Sequence, residues 1–85
     1  MLHIISNPKA ISDCTVHLED DDAVILIGDG VYGLQDPSLG SRIPVFALES
    51  DLVARGILAT SNVTPTKMSQ FVALVIEHAS SVTWT

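Results

Sequence analysis

The sequence predicts a small α/β protein, three-layered, with a central and mainly parallel sheet of four to five strands and helices on both faces. Three observations carry that expectation. Ala23-Val24-Ile25-Leu26-Ile27 is a run of five apolar residues, three of them β-branched, as expected of a strand buried on both faces. Comparable apolar runs, Leu2–Ser6 and Val45–Leu48, lie on either side of it. Between them fall segments with helix-start and helix-stop signals, and such alternation builds βαβ units with right-handed crossovers.

Leu2–Ser6 forms the first strand. Asn7-Pro8 follows, with Asn suited to the N-cap and Pro to the first helical position, and the helix is expected to run to about Leu18. Ile11, Cys14 and Leu18 recur at i, i+3 and i+7 on one face of it. Glu19-Asp20-Asp21-Asp22 opposes the helix dipole at a C-terminus and reads as a solvated acidic turn. Ala23–Ile27 is the second strand. Any helix begun at Val31–Leu34 meets Asp36-Pro37 and Gly40 within two turns, so it is short or irregular.

Pro44 opens the third strand, Val45–Leu48. Glu49–Arg55 is a compact helix with Gly56 at its C′ position. Asn62-Val63-Thr64 has β character, which Pro65 confines to a brief or edge strand. The last helix, capped by Thr66 or Ser69, reaches about His78. It is apolar from Phe71 to Ile76, and so must be covered by more than its own sheet. Val82-Thr83-Trp84 is a final strand.

With 85 residues the chain is expected to be one domain, 1–85, burying roughly 60–65% of its unfolded surface. Yet 47% of its residues are hydrophobic and only 16% charged, an apolar excess that a small protein covers with another subunit. The net charge of −6, with only Lys9, Arg42, Arg55 and Lys67 as cations, argues against direct contact with nucleic acid or anionic lipid. No apolar run approaches the roughly 20 residues of a membrane span, and the N-terminus lacks the basic start of a signal peptide. A single cysteine makes no internal disulfide and suits the reducing cytoplasm.

Four features bear on chemistry. Gly28-Asp29-Gly30-Val31-Tyr32-Gly33 spells G-x-G-x-x-G after a strong strand, and Glu49 stands about 20 residues on, where a ribose-binding carboxylate belongs. Against a nucleotide site, Asp29 would set a negative charge beside the pyrophosphate and Pro37 truncates the following helix. A tight turn is the stronger reading. Cys14 is the one thiol: either a persulfide carrier, for which one cysteine suffices, or a small hydrophobe on the face of Ile11 and Leu18. His17, three residues on, is either a base for it or an i+3 neighbour by helix geometry alone. His3, His17 and His78 have no metal-ligand spacing, and no carboxylate pair or Ser/His/Asp pattern stands out, so neither metal nor cofactor is expected. Trp84 is either a lid on the core or an interface anchor.

Taken together, several stretches resemble the TusB/DsrH family of sulfur-relay subunits: Leu2-His3, Asp29-Gly30-Val31-Tyr32, Val45-Phe46-Ala47-Leu48, Asp51–Gly56, Phe71-Val72, His78 and Trp84, in order across nearly the whole chain. The resemblance implies a DsrE-like fold and a cytoplasmic hetero-oligomer with TusC/DsrF-like and TusD/DsrE-like homologous subunits. One branch passes persulfide sulfur towards 2-thiolation of the tRNA wobble uridine; the other serves dissimilatory sulfur oxidation. The principal sulfur-carrying cysteine belongs to the TusD/DsrE-type partner. DsrH-type members carry a further cysteine at the place of Cys14, which makes a carrier role for Cys14 the alternative to a structural one. Tyr32, Phe71, Val75 and Trp84 are the candidate interface residues. Lys67-Met68 stands where many relatives have Asp-Tyr, a departure that touches the local strand and partner surface.

Overall fold

The computed structural model describes residues 1–40 and 42–85. Five parallel strands form one sheet: β1 (Leu2–Ile5), β2 (Ala23–Leu26), β3 (Val45–Leu48), β4 (Thr64–Thr66) and β5 (Ser81–Trp84), in the spatial order β4-β3-β2-β1-β5. The apolar run Ala23–Leu26 is the central strand, and all four of its residues are buried. Pro65 lies in β4 at one edge, where a residue without an N–H is tolerated.

Because side chains alternate along each strand, the sheet has two apolar faces. One carries Ile5, Val24, Leu26, Val45 and Ala47, which pack with Ile11 and Cys14 of α1 (Ile11–Thr15), Leu52 of α2 (Glu49–Ala54), Val31 and Leu39 of two 3-10 turns, and the loop residues Leu34, Ile43 and Val63. The other carries Leu2, Ala23 and Ile25, covered by Phe71 and Leu74 of α3 (Met68–Glu77). The layers are therefore helix, sheet, helix, and the two sides are unequal. On the α3 side a single ten-residue helix spreads over the sheet, and none of its residues is fully buried.

Three local expectations need correction. The helix foreseen from Pro8 to about Leu18 is a 3-10 turn, Pro8–Ala10, followed by an α segment that ends at Thr15. Asn7 does cap it, its side chain accepting from the Lys9 N–H at 3.0 Å. Val16 and His17 fall outside because the chain must turn back towards β2, and Leu18 reaches the core from the loop. The N-cap of α3 is Lys67, not Thr66 or Ser69: Thr66 is buried in β4, and Gln70 Oε1 accepts the Lys67 N–H at 2.9 Å. Finally, the acidic turn is not wholly solvated, since Asp22 is buried. Gly56 follows α2 at φ +64°, the left-handed position foreseen for it.

Candidate functional site

The glycine-rich segment leaves the carboxyl end of β2 as a 3-10 helix, Gly28–Gly33. Gly28 sits at φ +52°, and its N–H donates to Asp51 Oδ2 at 2.8 Å. Gly30 is glycine for a different reason: a Cβ there would stand 2.1 Å from the carbonyl oxygen of Ile5. The turn is pinned against α2 by Arg55, which binds Asp29 at 3.0 Å and Asp51 at 3.2 Å and lies 5.8 Å from the centre of the Tyr32 ring. An anion on this loop would find its first amide already donating to a carboxylate, with Asp29 and Asp51 both adjacent. No α-helix begins here to lend its dipole. Glu49 is exposed at the start of α2. The fingerprint thus builds a braced turn, and Tyr32, 58% exposed, stands out from it.

Cys14 lies on the inward face of α1, fully buried among the apolar residues of the larger core cluster. Burial, with a further contribution from the Asp22 carboxylate, pushes its thiol up to about 11. At neutral pH such a group is a thiol and not a nucleophilic thiolate. His17, its sequence neighbour at i+3, turns outward and stacks on Trp84, with ring centres 5.8 Å apart and planes 19° from parallel.

The sequence reading missed the polar cluster beneath that stack. Trp84 Nε1–H donates to His3 Nδ1 at 3.1 Å, and His3 Nε2 faces Asp22 Oδ2 at 2.9 Å. Since the indole only donates, Nδ1 is the acceptor and Nε2 carries the proton given to Asp22. Asp22 also accepts from the Glu19 N–H at 3.1 Å and from the N-terminal ammonium at 3.0 Å. Burial pulls its carboxyl up, but the bonds from His3, Glu19 and the ammonium outweigh this and hold it at about 2. Both His3 nitrogens are therefore engaged, which makes the cluster a tie between β1, the acidic loop and β5. A signal for it was present: a histidine inside the apolar run Leu2–Ile5 needs a buried partner, and the nearest carboxylate to the start of a neighbouring parallel strand is Asp22. Among the described residues, no three His, Cys, Asp or Glu groups converge as a metal would require.

The four interface candidates separate. Phe71 packs on the sheet and Trp84 on the larger core, so both are half-buried. Tyr32, on the glycine-rich turn, and Val75, on α3, are exposed. With Val75, the outer surface of α3 presents Met68, Val72 (52% exposed) and Ile76 (79% exposed), an apolar stripe at i, i+4, i+7 and i+8.

The chain is thus a three-layer α/β sandwich with a braced turn, a buried thiol and an exposed apolar stripe on α3. The profile of the DsrH-like protein family matches residues 6–81, and the chain belongs to that family. It is 28% identical to Protein TusB of Shigella dysenteriae serotype 1 over 95 aligned positions, covering 99% of this chain and all of that protein. The same identity and coverage hold for Protein TusB of Escherichia coli O1:K1 and of Escherichia coli O139:H28.

Proposed function

We propose that this chain is an architectural subunit of a cytoplasmic sulfur-relay complex of the TusBCD/DsrEFH type, supporting persulfide transfer towards 2-thiolation of the tRNA wobble uridine. Family membership and the full-length likeness to TusB proteins support the sulfur-relay reading. The observation that carries the architectural role is Cys14: a buried thiol held at about 11 has neither the access nor the ionisation that sulfur exchange needs. Sulfur then travels on a cysteine of a TusD/DsrE-like subunit, and this chain contributes surface. Met68, Val72, Val75 and Ile76 of α3, and Tyr32 beside the glycine turn, are the surfaces assigned to the TusC/DsrF-like and TusD/DsrE-like partners. Among the described residues no helix is long and apolar enough to cross a membrane.

Co-expression with both partner types tests the reading. A stable complex should co-purify, lose this chain on Ile76→Glu or Tyr32→Ala, and retain sulfur transfer with Cys14→Ala. A chain that stays apart from its cognate partners refutes it. A one-sulfur adduct on Cys14 after incubation with a persulfide donor, absent in Cys14→Ser, would instead favour the carrier role in sulfur oxidation.

A further inference from the structure

The α3 face of the sheet is covered unevenly. Five strands about 4.8 Å apart span roughly 19 Å, whereas one helix is about 10 Å wide. α3 lies over β1 and β2, with Phe71 and Leu74 on Leu2, Ala23 and Ile25. On its β5 side, Ser81 and Thr83 turn to this face opposite Leu2 and Ile4, and both are exposed polar residues that need no cover. On its β3–β4 side stands half-buried Phe46, beside exposed Thr64 and Pro65. Here a cavity of about 210 Å³ opens between Phe46 and Pro65 of the sheet and Ala73 and Leu74 of α3. It adjoins a cleft of about 310 Å³ that reaches Asp20 and Asp21; Phe46, Leu74 and Glu77 line both. Among the described residues no lysine or arginine lines either part. Arg42 binds Asp20 at 2.7 Å, and Asp21 and Glu77 have no ion-pair partner.

We infer that this groove seats an amphipathic helix of a partner protein, its apolar face on Phe46 and Pro65 and its lysines or arginines against Asp21 and Glu77. The sheet leaves width for one more helix beside α3, and Pro65, with no N–H, gives an added strand a poor edge. The apolar cavity, smaller than the roughly 300–1,000 Å³ of small-molecule sites, takes a large side chain of that helix. Charge selects against a second copy. The chain carries −6, and with Arg42 and Arg55 in ion pairs only Lys9 and Lys67 remain to meet an acidic rim. The same sign turns away nucleic acid and anionic lipid. This seat lies beside the apolar stripe of α3, not on it, and its occupation does not depend on the sulfur-relay reading.

The probe is a fluorescently labelled synthetic helix of leucine and lysine, about four turns long with its leucines on one face. Its control has glutamate in place of lysine. Titrated with the full chain and followed by anisotropy, the lysine helix should bind at micromolar concentration. It should bind at least about tenfold more tightly than the glutamate helix, with the gap narrowing in high salt. Ala73→Phe, whose ring fills the cavity, should weaken binding at least about tenfold with far-UV circular dichroism unchanged. Ile76→Ser, on the outer stripe of α3, should change it less than about twofold. Asp21→Lys combined with Glu77→Lys should reverse the preference between the two helices. Equal binding of both helices, or none below millimolar concentration, overturns the inference. So does a loss that follows Ile76→Ser and not Ala73→Phe, or a preference that the double charge reversal leaves in place.

Discussion

Asp22→Asn isolates the buried tie at the start of the sheet. The wild-type carboxyl is held at about 2 instead of the ordinary 3.8. A gap of that size corresponds to at most about 2.5 kcal/mol, and solvent reaching the cleft beside Glu19 screens it to about 1–2 kcal/mol. The amide adds a second cost. An amide oxygen in the Oδ2 place keeps the donors His3 and the Glu19 N–H, but its NH₂ then faces the N-terminal ammonium that Oδ1 had accepted. An unmatched buried donor costs about 1–3 kcal/mol. Together a loss of about 2–5 kcal/mol is expected at pH 7, a fall in Tm on the order of 10 °C or more for a chain of this size.

The sign with pH is fixed. A folded-state pKa below the unfolded one gives stability that is complete above the unfolded value and disappears as pH falls through the folded value. The difference between wild type and Asp22→Asn should be full at pH 6–7, shrink below about pH 4, and lose its charge-dependent part near pH 2. Urea unfolding of both proteins at pH 7, 5, 3.5 and 2.5, followed by circular dichroism, measures it. Equal stability at pH 7, or a difference that does not narrow towards pH 2.5, would refute the assignment of Asp22 as the buried counter-charge.

Other outcomes follow from the same geometry. Gly30→Ala drives a methyl into the Ile5 carbonyl, and about 1–3 kcal/mol of destabilisation is expected in thermal melts, whereas Gly33→Ala meets side chains, the movable end of Ile11 and Pro8 Cβ at 3.3 Å, and should cost less. Native Cys14 should resist a thiol reagent at pH 8, where fewer than about one in a hundred thiols are ionised, and react only as fast as the fold opens in a stopped-flow or mass-spectrometric time course. Trp84→Phe removes the indole donor from His3 Nδ1 and should cost about 1 kcal/mol in urea unfolding; in the wild type, fluorescence of this single tryptophan should report the undocking of β5. Millimolar NAD or ATP should leave Tm unchanged, since the first amide of the glycine turn is already bound to Asp51.

Much of the fold was legible because its signals are local. Alternating apolar runs named the strands, Asn7-Pro8 and Gly56 marked helix ends, and Pro65 placed its strand at an edge. The extent of the first helix was overread, since the pattern at Ile11, Cys14 and Leu18 fits a helix as well as a short helix followed by a loop that returns the third residue to the core. The site was harder. Glycine spacing alone does not say whether an amide faces a ligand or Asp51, 23 residues away. Nor does the helical face that Cys14 shares with Ile11 tell a masked thiol from an accessible one.

By itself the sequence determined the α/β class, the central place of Ala23–Leu26 and the surplus of apolar surface on the last helix, because composition and periodicity are properties of neighbouring residues; the resemblance to sulfur-relay subunits rested on motifs such as Asp29–Tyr32 and Asp51–Gly56 in their order along the chain. Only the tertiary structure decided what the reactive types do. Parallel pairing of β1 with both β2 and β5 brings Asp22, His3 and Trp84 together from opposite ends of the chain, and packing of α1 on the sheet seals Cys14 from water. Burial and partnership set the chemistry of a carboxylate, an imidazole or a thiol, and both depend on contacts that sequence order does not reveal.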